Sequence, residues 1–460
     1  MQETELFDIS QAERIVEHPD TPAAYTDWSE LIPLTGSADR EHLGNVLGWS
    51  HRRASTPLGA SREVFERAFE GVGERLLDRW MQSLAETPSE DFLQHHIPFL
   101  RNASAFVGTH DMDTLVERYV DVYQEPRVSG VGAEQLYRVR PDVVHLEITR
   151  SCNFACGMCS SRTDGWLPER TMPLEVFGEM VRVLGEHAST LRINGYGETT
   201  IVPELESYLD CLDEFEFAGL REIITNLSGS KEIYDELVDR GFVIMASWDS
   251  TDEDRFEWLR AGSDFQQMEE TLRRVAARLG EERERLLLLS TLQEENAEEV
   301  QGLVRFAEEA GAGGVIFNMV NEGDGSPWMM ERFDELVERF EEALELGREL
   351  DLHVSVPDHI QGRRTGVRKS KRSSATFCDR PWVEALVRYD TEMTVCNMFN
   401  PFSYGMLVPP GPPQDVPSRL DRMWNGPNAS LFREIINTDE RHPYCEDCYF
   451  LHGAGAGART

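Results

Sequence analysis

A chain of 460 residues with 40% hydrophobic and 28% charged side chains has the material for two or three domains with sizeable cores. Its formal net charge is −38 and only three of its 45 basic residues are lysines (Lys231, Lys369, Lys371), which argues against nucleic acid or an anionic membrane as partner. No apolar run is long enough to span a bilayer, and the N-terminal Met-Gln-Glu-Thr-Glu is acidic where a signal peptide is basic, so a cytoplasmic protein is expected.

Residues 1–135 read as an N-terminal helical domain. Phe65, Phe69, Val72, Leu76 and Trp80 recur at helical spacing, as do Leu115, Tyr119 and Tyr123 behind a cap at Asp113. His95, His96 and His110 are isolated from other ligand types and read as structural.

From residue 143 short apolar runs alternate with amphipathic stretches. The runs are Val143–Ile148, Leu191–Asn194, Glu222–Thr225, Val243–Ser247, Leu286–Leu292, Val315–Val320 and Leu352–Val356. Helices are expected at Pro173–Leu184, with Pro173 in the first turn, and at Phe265–Leu279. Repeated βα units imply a parallel sheet, and six or seven of them suit a barrel, complete or partial, over 136–360. Functional residues then belong at the C-terminal ends of the strands. After Val356 the rhythm stops. A basic run at 363–372 precedes a cysteine-rich segment ending near 452, and 453–460 reads as a disordered tail.

Seven of the eight cysteines sit in groups with metal-ligand spacing, which fits a reducing compartment, while Cys211 reads as a core thiol. Cys152-Asn-Phe-Ala-Cys156-Gly-Met-Cys159 is a C-x3-C-x2-C pattern directly after the first strand. No fourth ligand lies nearby, whereas a structural zinc takes four ligands, commonly from two C-x2-C pairs. Three thiolates leave one metal position open, the arrangement by which an iron–sulfur cluster can hold a further ligand.

This motif resembles that of the radical S-adenosylmethionine (SAM) superfamily. The resemblance implies a [4Fe-4S] cluster on Cys152, Cys156 and Cys159, with SAM chelating the remaining iron. Met158 stands where the family often has an aromatic residue. Gly195-Tyr-Gly-Glu198, after the second strand, resembles the Gly-Gly-Glu-type motif that contacts the SAM amino group, and glycines with a carboxylate suit close approach to an ammonium. By the same resemblance Asn226, Ser247, Asp249, Arg260, Asn296 and Asn318 are SAM-binding candidates on or after strands three to six. A helix-terminal salt bridge is the competing reading for Arg260.

Cys378, Cys396, Cys445 and Cys448 form a second set, the last two as C-x2-C and the first two flanking a predicted hairpin, Trp382–Tyr389 and Glu392–Cys396. Four cysteines build zinc or iron–sulfur sites alike. Cys378-Asp-Arg-Pro-Trp382, Met423-Trp-Asn425 and Tyr444-Cys-Glu-Asp-Cys448 resemble the SPASM and Twitch extensions of radical SAM enzymes, and four cysteines fit the shorter Twitch form with one auxiliary [4Fe-4S] cluster. Thr391 replaces a glycine usual five residues before the second cysteine.

The expected fold is therefore α/β: a partial (β/α)6 TIM-like barrel, an N-terminal helical domain, and a small C-terminal Twitch/SPASM-like domain over 361–452. The resemblance implies a radical SAM oxidoreductase or lyase. It would cleave SAM to a 5′-deoxyadenosyl radical and abstract hydrogen from a small polar metabolite of sugar, aminocyclitol or nucleoside type. The alternative is a peptide maturase forming thioether or carbon–carbon crosslinks. A reductant such as flavodoxin or ferredoxin is implied in either case. Helical rather than winged periodicity in 1–135 tilts the expectation toward the metabolite.

Overall fold

The computed structural model describes residues 111–124, 140–159, 171–320, 331–357, 380–395, 402–407 and 423–438, with single positions between and beyond these runs. The chain divides into two compact units, one of 142–165, 169–378 and 444–460, the other of 1–141, 166–168 and 379–443.

In the first unit seven strands pair in chain order, all parallel: β1 (Val143–Leu146), β2 (Thr190–Arg192), β3 (Leu220–Thr225), β4 (Val243–Ser247), β5 (Leu286–Leu292), β6 (Gly314–Met319) and β7 (His353–Ser355). Every strand coincides with one of the predicted apolar runs. Among the connecting helices are α2 (Leu174–Gly185), α3 (Leu205–Glu214), α4 (Lys231–Asp239), α5 (Glu253–Leu259), α6 (Phe265–Leu279), α7 (Val300–Ala310) and α8 (Phe333–Glu349). The helix α6 occupies the predicted span. Asp264 caps it by accepting from the Gln267 amide, and Phe265, Met268, Leu272, Val275 and Leu279 form its buried stripe. Each such side chain contributes about 1.5–3 kcal/mol on burial. Pro173 stands one position outside α2, at its N-cap, not in the first turn.

The strands alternate in burial. On β5 Leu286, Leu288, Ser290 and Leu292 are buried, while Leu287, Leu289 and Thr291 are half-exposed. The buried set faces helices: Trp248, just past β4, packs on Phe256, Phe265 and Phe306, and Phe317 of β6 meets Phe340 of α8. The half-exposed set forms an open face. A parallel sheet with helices on one face and an accessible opposite face is the layering expected of a barrel wall. In register, Ser247, Leu289, Ile316 and Ser355 share one layer of this face, and Thr291 and Asn318 the next layer toward the strand C-termini.

In the second unit, β8 (Glu384–Val387), β9 (Glu392–Thr394) and β10 (Ser403–Met406) form an antiparallel meander, with α9 (Arg380–Val383) before it and α10 (Pro427–Ile435) after it. The predicted hairpin is present, and Thr391 in its turn has φ +68°. The helix α1 (Met112–Gln124), which begins at Met112 where Thr114 donates to Asp111, packs on α10. Asn102 donates to the Ser403 carbonyl at 2.8 Å and accepts from the Ser403 amide at 2.8 Å, and Asn428 donates to the His95 carbonyl. The described part of the N-terminal stretch is therefore not a unit of its own, because its polar groups find their partners on 403–428. The periodic set Phe65–Trp80, the basic run 363–372 and the tail 453–460 lie outside the described residues.

Candidate active site

The thiol loop leaves β1 and is gripped by the loop after β2. Glu147, fully buried, accepts from the Tyr196 amide at 2.7 Å, and Glu198 donates its amide to the Ser151 carbonyl at 2.9 Å. A Cβ on Gly195 would fall onto the Glu147 side chain, and one on Gly197 onto the Thr149 and Ser151 carbonyls. Only glycine allows this approach. The Arg150 guanidinium lies over the Tyr196 ring, 4.8 Å from its centroid.

Glu198 is buried, and its carboxylate is held from several sides. Oε1 accepts from the Thr200 amide (3.0 Å), the Thr200 hydroxyl (2.6 Å) and the Thr225 hydroxyl (2.7 Å), and Oε2 accepts from the Asn226 amide at 2.6 Å. Burial raises its pKa, while these donors oppose the rise. Oε2, with one donor, is the oxygen with acceptor capacity left for an ammonium. The Asn226 side chain reaches back to the thiol loop, donating to Asn153 Oδ1 at 3.2 Å with Cys152 Sγ 4.0 Å away.

Three more expected residues form one buried connection. Arg260 pairs with Asp249 at 2.7 Å, and Asp249 Oδ1 accepts from the Thr291 amide at 2.7 Å. Asn296 donates to the Asp249 carbonyl at 2.8 Å and the Thr291 carbonyl at 3.1 Å, and its Oδ1 accepts from the Gln293 amide at 2.7 Å. Asn296 is fully buried, and its amide hydrogens bridge the loop after β4 to the end of β5. The Arg260–Asp249 ion pair is also the competing reading raised by the sequence. Ser247 and Asn318 sit half-exposed on the open face.

Cys152, Cys156 and Cys159 are half-buried and free of disulfides. Burial pushes the Cys156 thiol up to about 11, opposed by the Arg260 guanidinium and reinforced by Cys159, Cys152 and Asp249. Among the described residues no three His, Cys, Asp or Glu side chains converge as an ion site. By donor type the three thiols fit an iron–sulfur cluster, for which soft thiolates are the ligand class. A protonated thiol at Cys156 fits too, since a metal displaces that proton on binding. Of the second set, Cys378 is half-buried and Cys445 buried, while Cys396 and Cys448 lie outside the described residues. Cys211 is half-buried, its Sγ 3.6 Å from the Ser207 carbonyl.

Sequence reasoning missed Glu147, Arg150 and Asn153. The signal for Glu147 was available: a carboxylate inside an apolar run, in phase with His145, marks the strand face opposite Val144 and Leu146.

Residues 146–307 match the family model described as the Radical SAM superfamily. No curated protein matches the sequence. Among solved structures, SuiB of Streptococcus suis is similar with a TM-score of 0.48 at 14% identity, over 62% of this chain and 65% of SuiB. SuiB bound to the precursor peptide SuiA gives 0.48 at 13% identity, over 69% and 75%. Native anSMEcpe with bound AdoMet gives 0.46 at 14% identity, over 57% and 77%. The match thus spans less than two thirds of the length of SuiB. Residues 146–307, which hold the thiol loop and strands β2 to β5, are thus similar to the radical SAM superfamily domain.

Proposed function

We propose that this protein is a radical SAM enzyme whose Cys152, Cys156 and Cys159 hold a [4Fe-4S] cluster. The observation that carries the reading is the family match over 146–307 around a thiol loop that contacts the end of β3 through Asn226 and is tied to the loop after β2. When bound, the cluster and SAM supply one-electron C–S bond cleavage and a hydrogen-abstracting radical. The chain's own residues bind and orient. Glu198 Oε2 offers an acceptor to the SAM ammonium, and Asn226 keeps that carboxylate in register with the thiol loop. Ser247 and Asn318 present hydroxyl and amide groups on the open face, where SAM and substrate would lie within the partial barrel.

A Twitch-type auxiliary cluster on Cys378, Cys396, Cys445 and Cys448 belongs to the same proposal, with zinc as its competitor. Anaerobic reconstitution is expected to give about eight irons per chain, falling to about four when the first three cysteines become alanine. With reductant and SAM the wild type should release 5′-deoxyadenosine. Release by the triple variant would sink the assignment.

For the substrate, the metabolite expectation rested on helical rather than winged periodicity in 1–135. Most of that stretch lies outside the described residues, so the structure adds no support to it. Peptide modification is therefore the reading to test first, with oxidation or dehydration of a small polar metabolite second. Deuterium exchanged between the candidate substrate and 5′-deoxyadenosine identifies the class.

A further inference from the structure

Arg260 has been treated so far as a SAM-binding candidate, but its surroundings describe a different task. It closes α5, whose C-terminal segment is stitched to the thiol loop by the Ala155 amide donating to the Ala261 carbonyl at 2.7 Å. The side chain is buried, and its Nε has no hydrogen-bond partner. One face of the guanidinium is held by Asp249 at 2.7 Å. Asp249 is itself fixed by the Thr291 amide and, through its carbonyl, by Asn296. A Cβ on Gly262, two residues on, would lie 3.3 Å from the Asn153 carbonyl of the same loop. A positive charge is thus braced from β4 and β5 on a segment that is bonded to the residue before Cys156.

We propose that Arg260 is the counter-cation of the thiolate set and raises the reduction potential of the cluster, with Asp249 and Asn296 as positioning residues that hold it there. This rests on the reading that Cys152, Cys156 and Cys159 carry a cluster. The physics is charge compensation: reduction adds one electron to an already anionic thiolate site, and a fixed cation nearby in a poorly solvated setting favours the reduced form. The neighbouring carboxylate of Asp249 acts in the opposite sense. Arginine suits the position because it stays charged under burial.

The test is an anaerobic redox titration of the reconstituted full chain, followed by the electron paramagnetic resonance signal of the reduced cluster. The auxiliary cysteines are replaced by alanine in every sample, so that only the first cluster is read. Arg260→Gln is expected to move the midpoint to more negative potential and Asp249→Asn to more positive potential, with iron content retained. Arg260→Lys should restore most of the wild-type value. Because either single charge removal leaves a buried group unpaired and can lower folding yield, the double variant Asp249→Asn/Arg260→Gln is titrated as well. Its midpoint should fall between those of the two single variants. A midpoint common to all the variants, or shifts of the same sign for Arg260→Gln and Asp249→Asn, would overturn the proposal and leave a purely structural ion pair. Absence of any cluster signal in the protein with Arg260 and Asp249 intact would instead reject the reading beneath it.

Discussion

The Asn226 backbone amide donates to Glu198 Oε2 at 2.6 Å, tying the end of β3 to the loop after β2. Glu198→Gln would place an amide nitrogen against one of its present donors, so at least one hydrogen bond is lost and a buried donor is stranded. A loss of about 1–3 kcal/mol is expected, visible as a lower denaturant midpoint. SAM affinity, measured by equilibrium dialysis on reconstituted protein, should fall about tenfold or more. Unchanged affinity would remove Glu198 from the binding site.

Gly195 and Glu147 are in direct competition for space. Gly195→Ala pushes a methyl group into the Glu147 side chain and should break the Tyr196 amide bond to its carboxylate. The cost is expected at about 2–4 kcal/mol, the range of overpacking combined with a lost buried hydrogen bond. Adding Glu147→Ala should return part of it, a non-additivity that a double-mutant cycle measures.

Thr391 holds φ +68° in the turn between β8 and β9. A β-branched residue is strained there, so Thr391→Gly should stabilise the protein by about 0.5–1 kcal/mol despite the added freedom of glycine in the unfolded chain. A Tm no higher than that of the wild type would mean that the turn carries no such strain.

Asn102 and Ser403 exchange two hydrogen bonds across 301 residues of sequence. Removal of residues 1–130 is therefore expected to destabilise 379–443 and not merely to uncover a substrate pocket. The milder Asn102→Ala should cost about 1–3 kcal/mol by stranding both backbone groups of Ser403. Limited proteolysis of the two proteins, followed at sites in 379–443, reads the difference.

Glu335 of α8 accepts from Arg332, at the helix N-cap, and from Arg339, and these hydrogen bonds hold its carboxyl down at about 2. A depressed acid stabilises the fold above its unfolded pKa, about 4.5, and that contribution disappears as pH falls through about 2. The Tm gap between wild type and Glu335→Gln should accordingly be small at neutral pH and close on acidification, since the carboxylate is exposed and screened by solvent.

Much of this molecule could be read locally. The seven strands follow from runs of apolar residues, and α6 from a stripe with an aspartate before it. The thiol loop follows from three cysteines on eight consecutive positions. These signals are short-ranged because burial of a strand or helix face depends on residues two, three or four apart. Gly195 and Gly197 were also legible, although the reason for them was not. They yield space to Glu147, Thr149 and Ser151, groups that lie more than forty residues earlier.

The sequence by itself determined the order of βα units, the thiol spacing and the polar residues at the strand ends. Tertiary structure decided which of those residues bond to one another and which lie on the open face. It bonded Asn296 to the Asp249 carbonyl after β4, paired Arg260 with Asp249, and joined the described N-terminal residues to 379–443. Composition could not foretell this. A buried polar group must find a partner, and which partner comes within reach is set by how distant backbone segments pack, not by any neighbour in the chain.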